Sequence, residues 1–125
     1  MVKRVVIAGC REYNNYEEAK LYIDFCISNI REVYDIIIVS GCASGADSIG
    51  ERYAEEKGLM VEKYPADWKR YGRSAGPRRN KQMAEICDYV ICFWDGKSKG
   101  TKSMIDYARE CNKPIKIKTI YKNNG

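Results

Sequence analysis

Three apolar stretches, each running into a glycine turn, decide the fold of this chain. They are Val5-Val6-Ile7-Ala8-Gly9-Cys10-Arg11, Ile37-Ile38-Val39-Ser40-Gly41-Cys42-Ala43-Ser44-Gly45-Ala46-Asp47 and Val90-Ile91-Cys92-Phe93-Trp94-Asp95-Gly96-Lys97-Ser98-Lys99-Gly100-Thr101. Continuous apolar runs of this kind are typical of parallel strands that are buried on both faces. The C-terminal ends of parallel strands share one edge of the sheet, and ligands bind outside that edge. The three turns therefore predict a pocket for a phosphorylated ligand.

Helical patterns separate these strands and two further ones. Apolar residues at three- and four-residue steps predict a first helix from about residue 16, with a buried face that reaches Val33. The second helix is predicted to end at Gly58, the third to open at Gly76-Pro77 and the fourth to run over about residues 101–111. Strands are predicted at residues 3–9, 36–40, 59–64, 89–94 and 114–120, and a loop at residues 66–75. This alternation predicts an α/β, three-layer Rossmann-like fold with a mostly parallel five-stranded sheet, as a single domain over residues 1–125.

The amino-acid composition of the chain excludes several classes of function. The chain has 125 residues, a net charge of +5, six cysteines and no histidine. The cysteines form no C-x-x-C pair, so we expect no metal site, and without histidine the Ser-His-Asp and Cys-His arrangements are excluded. No signal peptide or membrane-spanning run is visible, which predicts a reduced, cytoplasmic protein without a membrane partner. Nucleic-acid binding is disfavoured, because the tail lysines Lys113, Lys116, Lys118 and Lys122 also fit a solvated strand face.

The turn after the second strand is the first candidate site. Its glycines would let backbone N–H groups approach an anion, and the helix N-terminus adds partial positive charge. Asp47, in the first helical turn, would bind a sugar hydroxyl or a base edge. The alternative is a plain tight turn in which the helix dipole favours Asp47.

The turn before the last helix and the end of the first strand complete the candidate pocket. Two glycines, Lys97 and Ser98 ahead of a helix N-terminus make a plausible phosphate cradle. Arg11 would point over the same edge and clamp a phosphate, unless it pairs with Glu12 or Glu17. Trp68, Tyr71 and Trp94 are candidates for stacking on a base, although Trp94 equally fits packing at a strand end.

Five motifs in order along the chain carry a family resemblance. They are Gly9-Cys10-Arg11-Glu12-Tyr13, the turn at residues 40–47, Pro65-Ala66-Asp67-Trp68, Ala75-Gly76-Pro77-Arg78-Arg79-Asn80 and the turn at residues 94–101. Together they resemble the SLOG superfamily, and its YspA-like branch in particular. The resemblance implies a Rossmann-like fold that binds nucleotides or nucleotide-derived ligands. It also implies a tendency to form homo-oligomers, since related proteins assemble.

Within that superfamily, the phosphoribohydrolases offer a comparison by residue. Their arginine ahead of a Met-Ala-Glu segment corresponds to Arg79, which precedes Met83-Ala84-Glu85. Their Gly-Gly-x-Gly-Thr-x-x-Glu motif ends in a catalytic glutamate, whereas Gly100-Thr101-Lys102-Ser103 is followed here by Met104. Whether this chain is an enzyme therefore stays open at this point.

The favoured function is binding or sensing of a nucleotide-derived ligand such as ADP-ribose, NAD or a nucleoside phosphate, with no other cofactor. The alternatives are a hydrolase that cleaves an N-glycosidic or phosphate bond of that ligand, and a binder of single-stranded nucleic acid. Arg79, Asp47 and Asp67 are the candidate catalytic residues. The predicted ligand-binding residues are Gly9, Arg11, Ser40, Gly41, Cys42, Gly45, Asp47, Asp67, Trp68, Arg78, Asn80, Trp94, Asp95, Gly96, Ser98, Gly100 and Thr101.

Overall fold

Five strands and five helices alternate along the chain in a computed structural model that describes residues 1–121. The strands are β1 (Val2–Gly9), β2 (Asp35–Ser40), β3 (Met60–Lys63), β4 (Tyr89–Trp94) and β5 (Ile115–Thr119). The helices are α1 (Tyr16–Arg31), α2 (Ala46–Lys57), α3 (Trp68–Tyr71), α4 (Ala75–Ile86) and α5 (Lys99–Glu110). A 3-10 turn, Gly72–Ser74, joins α3 to α4. Lys122 of the predicted basic tail lies outside the described residues.

The five strands form one sheet in the order β3-β2-β1-β4-β5. All four neighbouring pairs are parallel, so the predicted α/β Rossmann-like sheet is confirmed and is wholly rather than mostly parallel. From β1 the chain continues on one side to β2 and β3, then crosses to β4 and β5 on the other. The strand order thus reverses between β1 and β4, and such a reversal opens a crevice at the C-terminal ends of the two strands.

The core lies on both faces of the sheet. Along β1, Val5 and Ile7 face a cluster formed with α1 and α2, which includes the fully buried Tyr53. Val6 and Ala8 face the opposite cluster, formed with α4 and α5. This alternation follows from the two-residue period of a strand, and it fixes two helices on each face.

Two predictions about individual elements are wrong. Residues 66–75 are not a plain loop, because the Asp67 side chain caps one helical turn by accepting from the Arg70 N–H at 3.2 Å. Val33 is not on the buried face of α1, since the helix ends at Arg31 and the Val33 side chain is 71% exposed. The first difference matters for the site, because α3 carries Trp68.

The described residues can also be searched for a membrane-spanning helix, a metal-binding cluster and disulfide bonds. Within residues 1–121, no helix has both the length and the apolar character to cross a bilayer. The same part of the chain contains no group of three or more Cys, Asp or Glu side chains placed to hold a metal ion. The six cysteines are free thiols, of which Cys10, Cys87 and Cys92 are buried and Cys42 is exposed.

Candidate functional site

A cavity of about 420 Å³ lies at the crevice between β1 and β4. Its volume falls within the range of sites for small molecules. Nine predicted site residues line it, contributed by the ends of β1 and β4 and by α2, α4 and α5: Gly9, Arg11, Asp47, Arg79, Asn80, Asp95, Ser98, Gly100 and Thr101. The structure therefore brings together half of the residues that the sequence analysis assigned to one pocket.

Asp47 is the buried acid of this cavity. Its side chain is only 6% exposed, and Oδ2 accepts a hydrogen bond from the Ala43 N–H at 3.1 Å. Burial raises the pKa of Asp47 to about 6, although the Ala43 N–H, the Arg79 guanidinium and, more weakly, Arg11 favour the charged form. Loss of water thus outweighs these contacts, and a carboxyl group with such a pKa can hold or release a proton near neutral pH.

Arg79 is fixed against the turn that follows β2. Its Nη1 donates to the carbonyl oxygen of Gly41, and its Nε donates to Oδ1 of Asn80 at 2.9 Å. A Cβ atom on Gly41 would lie 2.7 Å from Nη1 of Arg79 and 2.9 Å from Oδ2 of Asp47. Glycine is therefore required at position 41 for Arg79 and Asp47 to pack against the backbone.

Asn80 connects Arg79 to the first turn of α5. Its Nδ2 donates to the carbonyl oxygen of Gly100 at 3.3 Å and to Oγ of Ser103 at 3.4 Å. The side chain is 7% exposed, so these contacts hold the amide in one orientation. Asn80 consequently sets the spacing between α4 and the start of α5.

The turn after β2 uses several of its own N–H groups internally. The Cys42 N–H donates to Oγ of Ser40 at 3.1 Å, the Ala43 N–H donates to Asp47, and the Ala46 N–H donates to the carbonyl oxygen of Cys10 at 3.3 Å. These groups do not point at a ligand. The geometry thus favours the start of α5 over this turn as the place for a phosphate.

The start of α5 presents a different arrangement. Oδ1 of Asp95 accepts from the N–H groups of Lys97 and Ser98, both at 2.8 Å, and this fixes the approach to the helix. Ser98 is the N-cap, but its side chain makes no capping hydrogen bond. The first backbone N–H groups of a helix have no partner within it, and Gly100 and Thr101, in the first turn of α5, line the cavity together with Lys97.

A second cavity, also of about 420 Å³, adjoins the first on the side of β2 and β3. Gly41, Cys42 and Trp68 line it, and Arg11 and Arg79 line both cavities. Trp68, one of the three predicted stacking residues, is 51% exposed, whereas Tyr71 lines neither cavity. Cys42 has a φ of 64°, which turns this loop sharply beside the cavity.

The remaining predicted residues line neither cavity, and the structure gives most of them packing or capping contacts. Asp67 is exposed and caps α3, while Arg78 lies with its guanidinium 4.3 Å from the centroid of the Tyr71 ring. Oγ of Ser40 donates to Oε2 of Glu51 at 2.6 Å, and Nε1 of Trp94 donates to the carbonyl oxygen of Ser98 at 3.1 Å. Gly45 packs against the backbone of Cys10 and Arg11, and Gly96 (φ 82°) turns the chain after β4.

Sequence reasoning missed some lining residues, most notably Glu12 and Met83. It indicated Glu12 only as an ion-pair partner for Arg11, although its place one residue beyond Arg11 is enough to bring it to the same edge. Met83 fits the apolar period of α4 and carries no sequence feature of a site. Met104, where phosphoribohydrolases have a glutamate, is 1% exposed and forms part of the cavity wall.

Comparisons with known proteins bear on the fold and the family of the chain. The profile of the family described as "YspA, cpYpsA-related SLOG family" matches residues 3–71, more than half of the chain. The Gene 61 protein of Mycobacterium phage D29 is 30% identical over 120 residues, which cover 91% of this chain and 94% of that protein. DNA processing protein A from Streptococcus pneumoniae has a similar fold, with a TM-score of 0.66 at 20% identity. That match covers 94% of this chain and half of the other, and at such low identity it shows the fold alone. On the family profile and the phage relative, the chain belongs to the YspA, cpYpsA-related SLOG family.

Proposed function

We propose that this protein binds a nucleotide-derived ligand in the cavity between β1 and β4. Membership of the SLOG family suggests a nucleotide-related function. The observation that carries the proposal is the start of α5, where Lys97 and N–H groups without a side-chain cap lie in one cavity with Arg11 and Arg79. A helix N-terminus with adjacent cations is suited to a phosphate group.

Asp47 recognises the part of the ligand that carries no phosphate. It lies in the same cavity, and its carboxyl group is an acceptor for ribose hydroxyls or for donors on a base edge. A ligand that carries phosphate at one end and hydroxyl or amide donors at the other matches both features. Inorganic phosphate alone would leave Asp47 without a ligand contact, so the proposal is specific to a nucleoside phosphate.

Isothermal titration calorimetry with AMP, ADP, ADP-ribose and NAD tests the proposal. We expect binding of at least one of them, weakened about tenfold by Lys97→Ala and by Arg11→Ala, because a charge-assisted contact to phosphate contributes about 1.5–3 kcal/mol. Arg73→Ala is the matched control, because Arg73 is an exposed arginine on the 3-10 turn that lines neither cavity. The proposal fails if none of the four ligands binds at millimolar concentration.

Hydrolysis of the ligand is the second candidate, and the pKa of Asp47 favours it. At a pKa of about 6 the buried carboxyl group is partly protonated near neutral pH, as a general acid requires. Asp67 does not line the cavity, and residue 104 is a methionine, so neither position adds a second carboxylate. The chemistry would therefore depend on Asp47, with Arg79 stabilising negative charge.

Chromatography of AMP and NAD after incubation with the protein tests this candidate. We expect released base, a rate that changes with an apparent pKa near 6, and loss of at least ~99% of the rate in Asp47→Asn. Asp67→Asn is the control and should keep its activity, since Asp67 lies at the cap of α3. Absence of released base, or full activity in Asp47→Asn, would rule out hydrolysis by this route.

A further inference from the structure

The two cavities at the edge of the sheet are parts of one groove. They share three lining residues, Arg11, Ala43 and Arg79. The first cavity extends from these arginines to the start of α5, and the second extends from them to Trp68. A ligand that occupies both must pass the two guanidinium groups.

Asn80 sets the distance between two positions that can hold phosphate. Its Nδ2 donates to the carbonyl oxygen of Gly100 in the first turn of α5, while its Oδ1 accepts from Nε of Arg79. One side chain therefore separates the start of α5 from the Arg79 guanidinium. Two directly linked phosphate groups fit such a short separation better than two distant ones.

Trp68 forms the far wall of the groove. Its ring lies 3.3 Å from the point where a Cβ atom on Gly76 would sit, so the indole leans on the first turn of α4. The capping contact of Asp67 holds the helical turn that carries Trp68. About half of the side chain nevertheless stays exposed beside the second cavity, and an exposed indole near Arg11 and Arg79 is suited to stacking on a planar ring.

From this arrangement we infer that the ligand is a pyrophosphate-linked molecule with two ends, and not a mononucleotide. One nucleoside occupies the first cavity beside Asp47. The pyrophosphate extends from the start of α5 to Arg11 and Arg79, and the second end carries a planar ring that stacks on Trp68. The inference rests on the proposed function, and it adds the class of ligand and the role of the second cavity.

Calorimetry with AMP, ADP-ribose and NAD separates the parts of this inference. AMP has one phosphate, ADP-ribose adds the pyrophosphate and a second sugar, and NAD adds a second ring. We expect NAD to bind at least tenfold more tightly than AMP, with ADP-ribose between them. Trp68→Ala should weaken NAD about tenfold, as expected for loss of ring stacking, and AMP less than twofold.

Tyr71→Ala is the matched control, because Tyr71 is an exposed aromatic residue on the same helical turn that lines neither cavity. Trp68→Tyr keeps an aromatic face, should retain most of the affinity for NAD, and covers the case in which Trp68→Ala unfolds. Equal affinities for AMP and NAD, with no effect of Trp68→Ala, would overturn the inference. The proposed function would survive that result if Lys97→Ala still weakened AMP, whereas absence of all binding would overturn both.

Discussion

At the scale of single residues, Asp47 lies in the candidate site, and the burial of its carboxyl group lowers the stability of the fold at neutral pH. Its folded-state pKa of about 6 lies above the ordinary value of 3.8, so folding favours the protonated form. The native state then binds more protons than the unfolded state between about pH 4 and pH 6, and stability falls as the pH rises through that window. The difference between the two pKa values corresponds to about 3 kcal/mol of unfolding free energy, which is lost above pH 6.

Asp47→Asn should remove this pH dependence, because the amide stays neutral and its oxygen can still accept from the Ala43 N–H. We expect the variant to be more stable than the wild type by about 1–3 kcal/mol at pH 7.5 and nearly equal at pH 4. Urea unfolding at both pH values measures the difference. Asp106→Asn is the control, since Asp106 is exposed and pairs with Lys102 at 2.8 Å outside the cavity, and it should change stability by less than about 0.5 kcal/mol. Equal pH dependence in Asp47→Asn and the wild type would contradict the burial argument.

The position of Asp47 could be predicted from the sequence, but its burial could not. The place of Asp47 in the first turn after a buried strand indicates the edge of the sheet. Its loss of water depends on Arg79 and Gly41, which come together from residues 38 positions apart. The same limit applies to Trp68, whose place beside Arg11 depends on how α3 packs on α4.

At the scale of elements, the join between β1 and α2 depends on Gly45. Its φ is 75°, and a Cβ atom there would lie 2.3 Å from the carbonyl oxygen of Cys10. Gly58, at the end of α2, has a similar φ of 67°, but a Cβ atom at that position would have no neighbour within 4 Å. The ψ angles differ, since ψ is −125° at Gly45 and 30° at Gly58, so only Gly58 lies in the left-handed helical region, and Gly45 combines a costlier backbone conformation with a clash.

Gly58→Ala should cost about 1–2 kcal/mol of unfolding free energy, which is the penalty for a left-handed residue with a Cβ atom. Gly45→Ala should cost at least about 2 kcal/mol more, because its φ and ψ lie in a region that favours glycine alone and because the backbone at Cys10 and Arg11 must also move away. Equilibrium unfolding in urea of the two variants measures both penalties. Equal penalties would contradict this expectation for both the backbone conformation of Gly45 and its contact with Cys10.

Periodicity predicted the longer elements well and the shortest ones poorly. The span of β4 agrees with its prediction, since its apolar run is bounded by polar residues at both ends. α5 begins at Lys99 and not near Thr101, because Ser98 is its N-cap and Thr101 lies within its first turn, where Oγ1 donates to Ser98. A single turn such as α3 has no period to detect, and only the capping oxygen of Asp67 could have indicated it.

At the scale of the whole molecule, the reactivity of the buried cysteines measures how often the core opens. Burial raises the pKa of Cys87 to about 11 and that of Cys92 to about 12, so both thiols are protonated and inaccessible in the native state. Cys42 is exposed on the turn after β2. We expect iodoacetamide to modify Cys42 in the native protein, and Cys87 and Cys92 only at the rate of global unfolding.

Peptide mapping by mass spectrometry after timed labelling measures the rates separately. Addition of urea near the unfolding midpoint should accelerate labelling of Cys87 and Cys92 by orders of magnitude and that of Cys42 by little. If Cys92 reacts as quickly as Cys42 without denaturant, the β4 layer opens locally and the core is less cooperative than its burial indicates.

The two tryptophans of the chain lie at opposite ends of the groove. Trp68 is half exposed in the second cavity, and Trp94 lies beneath the start of α5, with its indole N–H bound to the Ser98 carbonyl oxygen. Each is thus an intrinsic fluorophore for a different half of the site. The Trp94→Phe protein would emit from the stacking end alone, and the Trp68→Phe protein from the phosphate end alone. Stopped-flow emission measured on each of these two proteins would therefore resolve the order in which the two halves of the groove become occupied, without any added dye.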